Sequence, residues 1–226
     1  MSDPALVVCA HGTRNRAGAA VVDALVAEVA DRRPALTVRA AYLDVQQPDL
    51  ATVLTGLGDA PTVVVPLLLS AGFHVHVDIR REVGTTGRRA LAAGALGPDQ
   101  VLVALLAARL AEAGNDPADH VVLAAAGSSD ARAVLDVERT ATALAVTTGL
   151  PVSAGYLSAA TPTVVDAVSA ARAGGARTVA VATYLLAPGF FTDRLAEVGA
   201  DLVAAPLLPD PAVVDLVLRR YDQTGG

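Results

Sequence analysis

The sequence has no lysine, no tryptophan and one cysteine, Cys9. Without a second cysteine no internal disulfide can form, which excludes a small secreted scaffold stapled by such bonds. Aromatic residues make up 3% of the chain, the net charge is −6 and the pI is about 5.1. Neither a basic footprint nor a set of stacking platforms is present, so no nucleic-acid partner is expected. No apolar run reaches the roughly 18 residues that a membrane span needs. The start, MSDPALVVCAHG, lacks the basic segment and cleavage site of a secretory signal. The expectation is a cytoplasmic protein with no membrane partner.

What is present is apolar and repetitive. Of 226 residues 53% are hydrophobic and the mean hydropathy is +0.49, enough to build a sizeable core. Every cationic side chain that stays charged at neutral pH is arginine, a residue suited to forked contacts with carboxylates. Two copies of one unit follow each other along the chain. Each opens on an apolar strand and a small-residue turn, Leu6–Gly12 in the first and Val121–Gly127 in the second. A helical pattern follows, with Val22, Leu25, Val26 and Val29 on one face. Next comes a strand ending in Tyr42-Leu43-Asp44 before Pro48, matched by Tyr156-Leu157-Ser158 before Pro162. A second helix carries Leu50, Val53, Leu54 and Leu57 on one face, and a fully apolar strand follows over 63–69, matched at 179–186. Then stand Gly72-Phe73-His74-Val75-His76 and Gly189-Phe190-Phe191-Thr192-Asp193. A short strand and a helix capped at Asp99 or Asp210 close each unit.

This order predicts an α/β fold of two tandem, similar α/β/α subdomains, 1–114 and 119–226. Each should hold a parallel four-stranded sheet with right-handed crossovers, and the Gly114–Asp119 stretch is the expected linker. Such sheets bind ligands beyond the carboxyl ends of their strands. His11, Asp44 and His74 each follow a predicted strand and should share one rim.

Of the four histidines, His120 opens a strand and reads as structural or surface. His11, before Gly12, is either a turn residue bonding backbone or a metal ligand or general base. His74 and His76 would share one face on a strand but diverge in a loop entering a helix; His74 is favoured as functional, with His76 an accessory metal ligand. Asp44 is either a turn residue or a carboxylate that holds a hydrated ion or takes a proton. The repeat separates these readings. Opposite His11, His74, His76 and Asp44 the second copy carries Ala126, Phe191, Asp193 and Ser158. The framework residues Gly12/Gly127, Tyr42/Tyr156, Pro48/Pro162 and Gly72/Gly189 persist in both. Polar groups lost from one copy are not needed for folding, which points to one active site per chain, in the first half.

The segments Ala10-His11-Gly12-Thr13-Arg14, Tyr42-Leu43-Asp44 with Pro48, Pro66 to Val75 with Asp78-Ile79, and Leu96-Gly97-Pro98-Asp99 carry a family likeness. The chain resembles the sirohydrochlorin chelatases, the type-II cobalt and iron chelatases of cobalamin and siroheme synthesis, in a two-repeat form with a degenerate second half. The resemblance implies a chelatase-like fold and insertion of a divalent metal into sirohydrochlorin without ATP. It implies that His11 and His74 bind the metal and accept protons. Asp44 stands where the family commonly has Glu. No permanently bound cofactor is implied; the ion, Fe2+, Co2+ or Ni2+, is a substrate. Ser70, Gly72, Phe73 and Phe191, with Leu69, are expected around the flat macrocycle in a cleft between the halves. Arg14, Arg16, Arg80 and Arg81 are candidates for its carboxylates. A monomer is expected, since two fused units imitate a dimer of half-length chains.

Metallation needs water stripped from the ion and two pyrrole N–H protons removed. Neutral imidazoles bind first-row ions at moderate strength and titrate near neutral pH, so they suit both tasks. A competing expectation is a carrier that binds metal or tetrapyrrole without turnover. A phosphohydrolase built on an Arg-His-Gly motif needs arginine before the histidine, and Ala10 stands there.

Overall fold

The apolar runs form two parallel sheets. In the computed structural model, which describes residues 3–70, 79–84, 90–114 and 118–225, the first sheet holds β1 (Ala5–Ala10), β2 (Val38–Tyr42), β3 (Thr62–Pro66) and β4 (Ala90–Ala92) in the order β2-β1-β3-β4. The second holds β5 (His120–Ala125), β6 (Val152–Tyr156), β7 (Val179–Tyr184) and β8 (Leu202–Val203) in the order β6-β5-β7-β8. All pairings are parallel. β1 and β7 are buried along their whole length, as expected of strands covered on both faces. The helices are α1 (Arg16–Arg32), α2 (Leu50–Leu57), α3 (Gln100–Ala113), α4 (Ala131–Thr148), α5 (Val164–Ala173), α6 (Phe190–Leu195) and α7 (Pro211–Gly225), and residues 79–84 are also helical. Strand and helix alternate as the sequence predicts, and the two halves have the same topology.

Local chemistry sets the boundaries. Asn15 caps α1 by accepting from Gly18 N, and the helix stops at Arg32 because Pro34 has no N–H to continue it. Asp99 and Asp210 take the cap positions expected of them, accepting from Val101 N and Ala212 N. The third strand is shorter than the apolar run: it ends at Pro66, which cannot donate to the ladder, and Leu67 N makes one further bond to Cys9 O at 2.8 Å. The predicted helix faces are the buried ones. Leu25 and Val29 of α1 are buried, as are Leu50, Val53 and Leu54 of α2, with Leu57 packed on the same core as Val7, Cys9, Val64 and Ile79.

Grouping by contact cuts the chain differently from the repeat. One compact unit comprises Met1–Leu96 and Leu208–Gly226, the other Gly97–Leu207. Helix α3, continuous with the first repeat, thus belongs to the second unit, where it packs on β7 and α4. Helix α7, the last of the second repeat, belongs to the first unit, where it packs on β3 and α1. Val213, Val214, Leu216, Val217, Leu218 and Tyr221 are its buried residues. Within this unit Tyr221 Oη donates to Pro4 O at 2.5 Å, and Arg220 donates to Ala95 O and Leu96 O, both at 2.9 Å. Arg32 pairs with Asp215, and Arg33 with Asp222 at 2.8 Å. None of the helices is long and apolar enough to cross a membrane, among the described residues.

Candidate active site

The carboxyl ends of β1, β2 and β3 carry the loops at residues 11–15, 43–49 and 67–70. From β1 the chain passes to β2 on one side and then returns to β3 on the other, so connections diverge above β1 and β3. That reversal of strand order is where open α/β sheets form their crevice. His11 sits at it, exposed, one residue beyond β1.

The loop bearing His11 is fastened to the loop after β2. Leu43 N donates to Ala10 O at 3.0 Å and Asp44 N to His11 O at 2.9 Å. Gly12 has φ +98°, and a Cβ there would stand 2.1 Å from Asp44 O, so the position accepts glycine alone. Thr13 N donates to Gln46 Oε1 at 2.7 Å, Asn15 N to Thr13 Oγ1 at 3.1 Å, and Gly18 N to Asn15 Oδ1 at 2.9 Å. A succession of side-chain acceptors therefore leads from the β1 end into α1. Beneath it, Tyr42 Oη donates to Asp23 Oδ1 at 3.0 Å. Burial, with this bond to Asp23, pushes the Tyr42 phenol up to about 12, so it stays protonated.

Asp44 lies two residues past β2 rather than at its end, exposed, and its Oδ1 accepts from Val45 N at 2.8 Å. His11 and Asp44 are thus brought together through backbone. Arg14 and Arg16 are exposed on the segment entering α1. Arg80 and Arg81 are exposed on the helical stretch 79–84, and Arg81 lies 4.0 Å from Glu82. Tyr42, Leu43, Asp49, Leu50, Ala51, Arg81 and Glu82 line a cavity of about 260 Å³ beside the Asp44 loop. Ser70 is half-buried beyond β3, as is Leu69. Gly72, Phe73, His74 and His76 lie outside the described residues. Among the described residues no three His, Cys, Asp or Glu side chains cluster as a metal site. Cys9 is buried in β1, and burial pushes its thiol up to about 12, so it is no thiolate ligand.

The second half repeats this backbone without the histidine. Gly127 has φ +94° and would place a Cβ 1.8 Å from Ser158 O; Leu157 N donates to Ala125 O at 3.0 Å, as Leu43 N does to Ala10 O. Ser158 Oγ donates to Ala126 O at 2.8 Å. Phe191 packs its side chain against the core of its own unit, while its neighbour Phe190 is 70% exposed with Arg194 5.7 Å from its ring centre. By the repeat, Phe190 is the residue that matches Phe73. His120, half-buried at the start of β5, has its Nε2 2.9 Å from Ser153 Oγ, and burial lowers its pKa. Gln46 is passed over by the sequence reading. Its signal is the repeat, which places Ala160 opposite it.

The family model for CbiX matches residues 5–113 and again 120–224, the two copies of the repeat. No curated protein matches the chain. Among solved structures, SirB from Bacillus subtilis with Fe3+ has a TM-score of 0.83 at 22% identity, over 98% of this chain and 95% of that one. The sirohydrochlorin chelatase SirB from Bacillus subtilis subspecies spizizenii, in complex with cobalt, gives 0.81 at 22% identity, over 98% and 94%. CbiX, described as the terminal enzyme of siroheme biosynthesis in denitrifying bacteria, gives 0.71 at 22% identity, over 97% and 98%. At such identities these likenesses carry the fold.

Proposed function

The chain belongs to the CbiX family, and from that membership we propose that it inserts a divalent metal, Fe2+ or Co2+, into sirohydrochlorin without ATP, as a step toward siroheme or cobalamin. The observation that carries the reading is the asymmetry at one rim. His11 is exposed at the strand-order reversal of the first sheet, on a turn whose backbone the second sheet reproduces with Ala126 in its place. A histidine dispensable to the turn is there for chemistry.

In this reading His11 and His74 hold the incoming ion and take up the pyrrole protons as it descends. Imidazole is free base near neutral pH and binds first-row ions without trapping them. His76 is an accessory ligand. Asp44, whose backbone is tied to His11, holds a water of the ion or orients an imidazole. Arg14, Arg16 and Arg80 meet the peripheral carboxylates with forked hydrogen bonds, and Ser70, Gly72 and Phe73 border the macrocycle. The ion is substrate, so it must bind weakly enough to leave.

The SirB proteins were solved with Fe3+ and with cobalt; Fe2+ and Co2+ are the first ions to compare, with Ni2+ beside them. Metal insertion into sirohydrochlorin, followed by absorbance over many equivalents, should proceed catalytically; stoichiometric binding without turnover would mean a carrier. His11→Ala and His74→Ala should each nearly abolish turnover with circular dichroism unchanged. Retention of most activity by both under limiting metal would end the assignment.

A further inference from the structure

Three side-chain acceptors fix the path from the end of β1 into α1: Gln46 for Thr13 N, Thr13 for Asn15 N, and Asn15 for Gly18 N. The second half keeps the last two. Ser128 Oγ accepts from Asp130 N at 3.1 Å, and Asp130 Oδ1 accepts from Arg132 N at 2.9 Å to cap α4. The first cannot exist there, because Ala160 stands opposite Gln46 and a methyl group accepts nothing. The fold therefore makes this turn, with the same glycine and the same positive φ, without a glutamine. What the first half has besides the glutamine is His11, with Asp44 where the second half has Ser158.

We propose that Gln46 is a positioning residue for His11, an inference that rests on the metal-insertion reading above. Its amide oxygen crosses 33 residues of sequence to take the Thr13 N–H at 2.7 Å. Together with Asp44 N on His11 O at 2.9 Å, it pins the backbone on both sides of Gly12. The glycine between them is the natural swivel of this loop. An exposed imidazole on a loop free to turn there would spend its time over many positions. One clamped before and after the swivel presents its nitrogens in a fixed direction, which an ion in transit requires. The acceptor is what matters, not the amide: a carboxylate at the same reach would hold Thr13 N equally well.

Removing a group that orients a metal ligand typically costs about 10- to 100-fold in affinity or activity. Gln46→Ala should lower kcat for metal insertion about 10-fold or more, leave the KM for sirohydrochlorin little changed, and weaken Co2+ binding, read from its absorption bands, by a similar factor. Gln46→Glu should recover most of both. In the His11→Ala background, Gln46→Ala should weaken Co2+ binding no further, because the clamp acts through the imidazole. Wild-type kinetics and Co2+ affinity in Gln46→Ala would overturn the proposal, as would an equal loss of Co2+ affinity with and without His11, or Gln46→Glu behaving like Gln46→Ala. If His11→Ala itself keeps full insertion activity, the failure lies in the role given to the histidine, and the clamp falls with it.

Discussion

The two halves make the same turns with the same backbone and different side chains. Gly12 and Gly127 press on the carbonyls of Asp44 and Ser158; Val45 and Ala159 have φ of 55° and 54°; Tyr42 N and Tyr156 N each donate to a proline carbonyl at 3.0 Å. The side chains set on that frame diverge. His11 corresponds in the repeat to Ala126, Gln46 to Ala160, and Asp44 to Ser158. Backbone geometry that survives loss of the polar groups is scaffold, and the polar groups retained in one copy are what the scaffold displays.

The largest effect tests where each half ends. Residues 97–207 contain a whole compact unit with its own covering helix, whereas 1–114 lack α7. Burial of Val213, Val214, Leu216, Val217 and Tyr221 contributes roughly 1.5–3 kcal/mol each, together on the order of the 5–15 kcal/mol that holds a domain folded. A 97–207 fragment should melt cooperatively by circular dichroism, and a 1–114 fragment should not. Cooperative melting of 1–114 would make the exchange of last helices incidental.

A smaller effect separates scaffold from chemistry. Gly12→Ala and Gly127→Ala both place a Cβ on a backbone oxygen at positive φ, and each should lose about 2–4 kcal/mol in urea denaturation. Metal insertion per folded molecule should drop at least about tenfold in Gly12→Ala, where His11 is displaced, and change little in Gly127→Ala. Equal losses of activity would remove the asymmetry on which the site assignment stands.

The smallest effect concerns the matched tyrosines. Tyr42 Oη is bonded to Asp23, while the Tyr156 hydroxyl, buried near Glu138 at the position matching Asp23, finds no hydrogen-bond partner among the described residues. Tyr42→Phe should cost about 1 kcal/mol, and Tyr156→Phe should be neutral or slightly stabilising. Denaturation midpoints decide it; a larger loss at Tyr156 would mean that its hydroxyl is satisfied in solution.

The repeat, the alternation of strand and helix and the parallel sheets were legible because continuous apolar runs and one-sided helices leave periodic traces in a sequence. The exchange of α3 and α7 was not. Periodicity says that α7 has a buried face at Val213 and Val217, and nothing in it says which sheet that face meets. His11 was legible from its place after a strand and before glycine. Gln46 was hidden for the opposite reason: a single side chain reaching a backbone N–H 33 positions away leaves no local pattern, and only alignment of the chain with itself exposes it. Gly72, Phe73, His74 and His76 lie outside the described residues, so their share of the site rests on sequence.

The exchange of terminal helices also sets an order of completion during synthesis. The sheet that carries His11 leaves the ribosome first, yet one face of β3 waits uncovered until residues 211–225 emerge. The later sheet has everything it needs once residue 207 is out. A chain broken off before residue 211 would therefore keep the compact unit of residues 97–207 and lose the half that bears His11. Residues 211–225 must be made before the first-made part of the molecule can close.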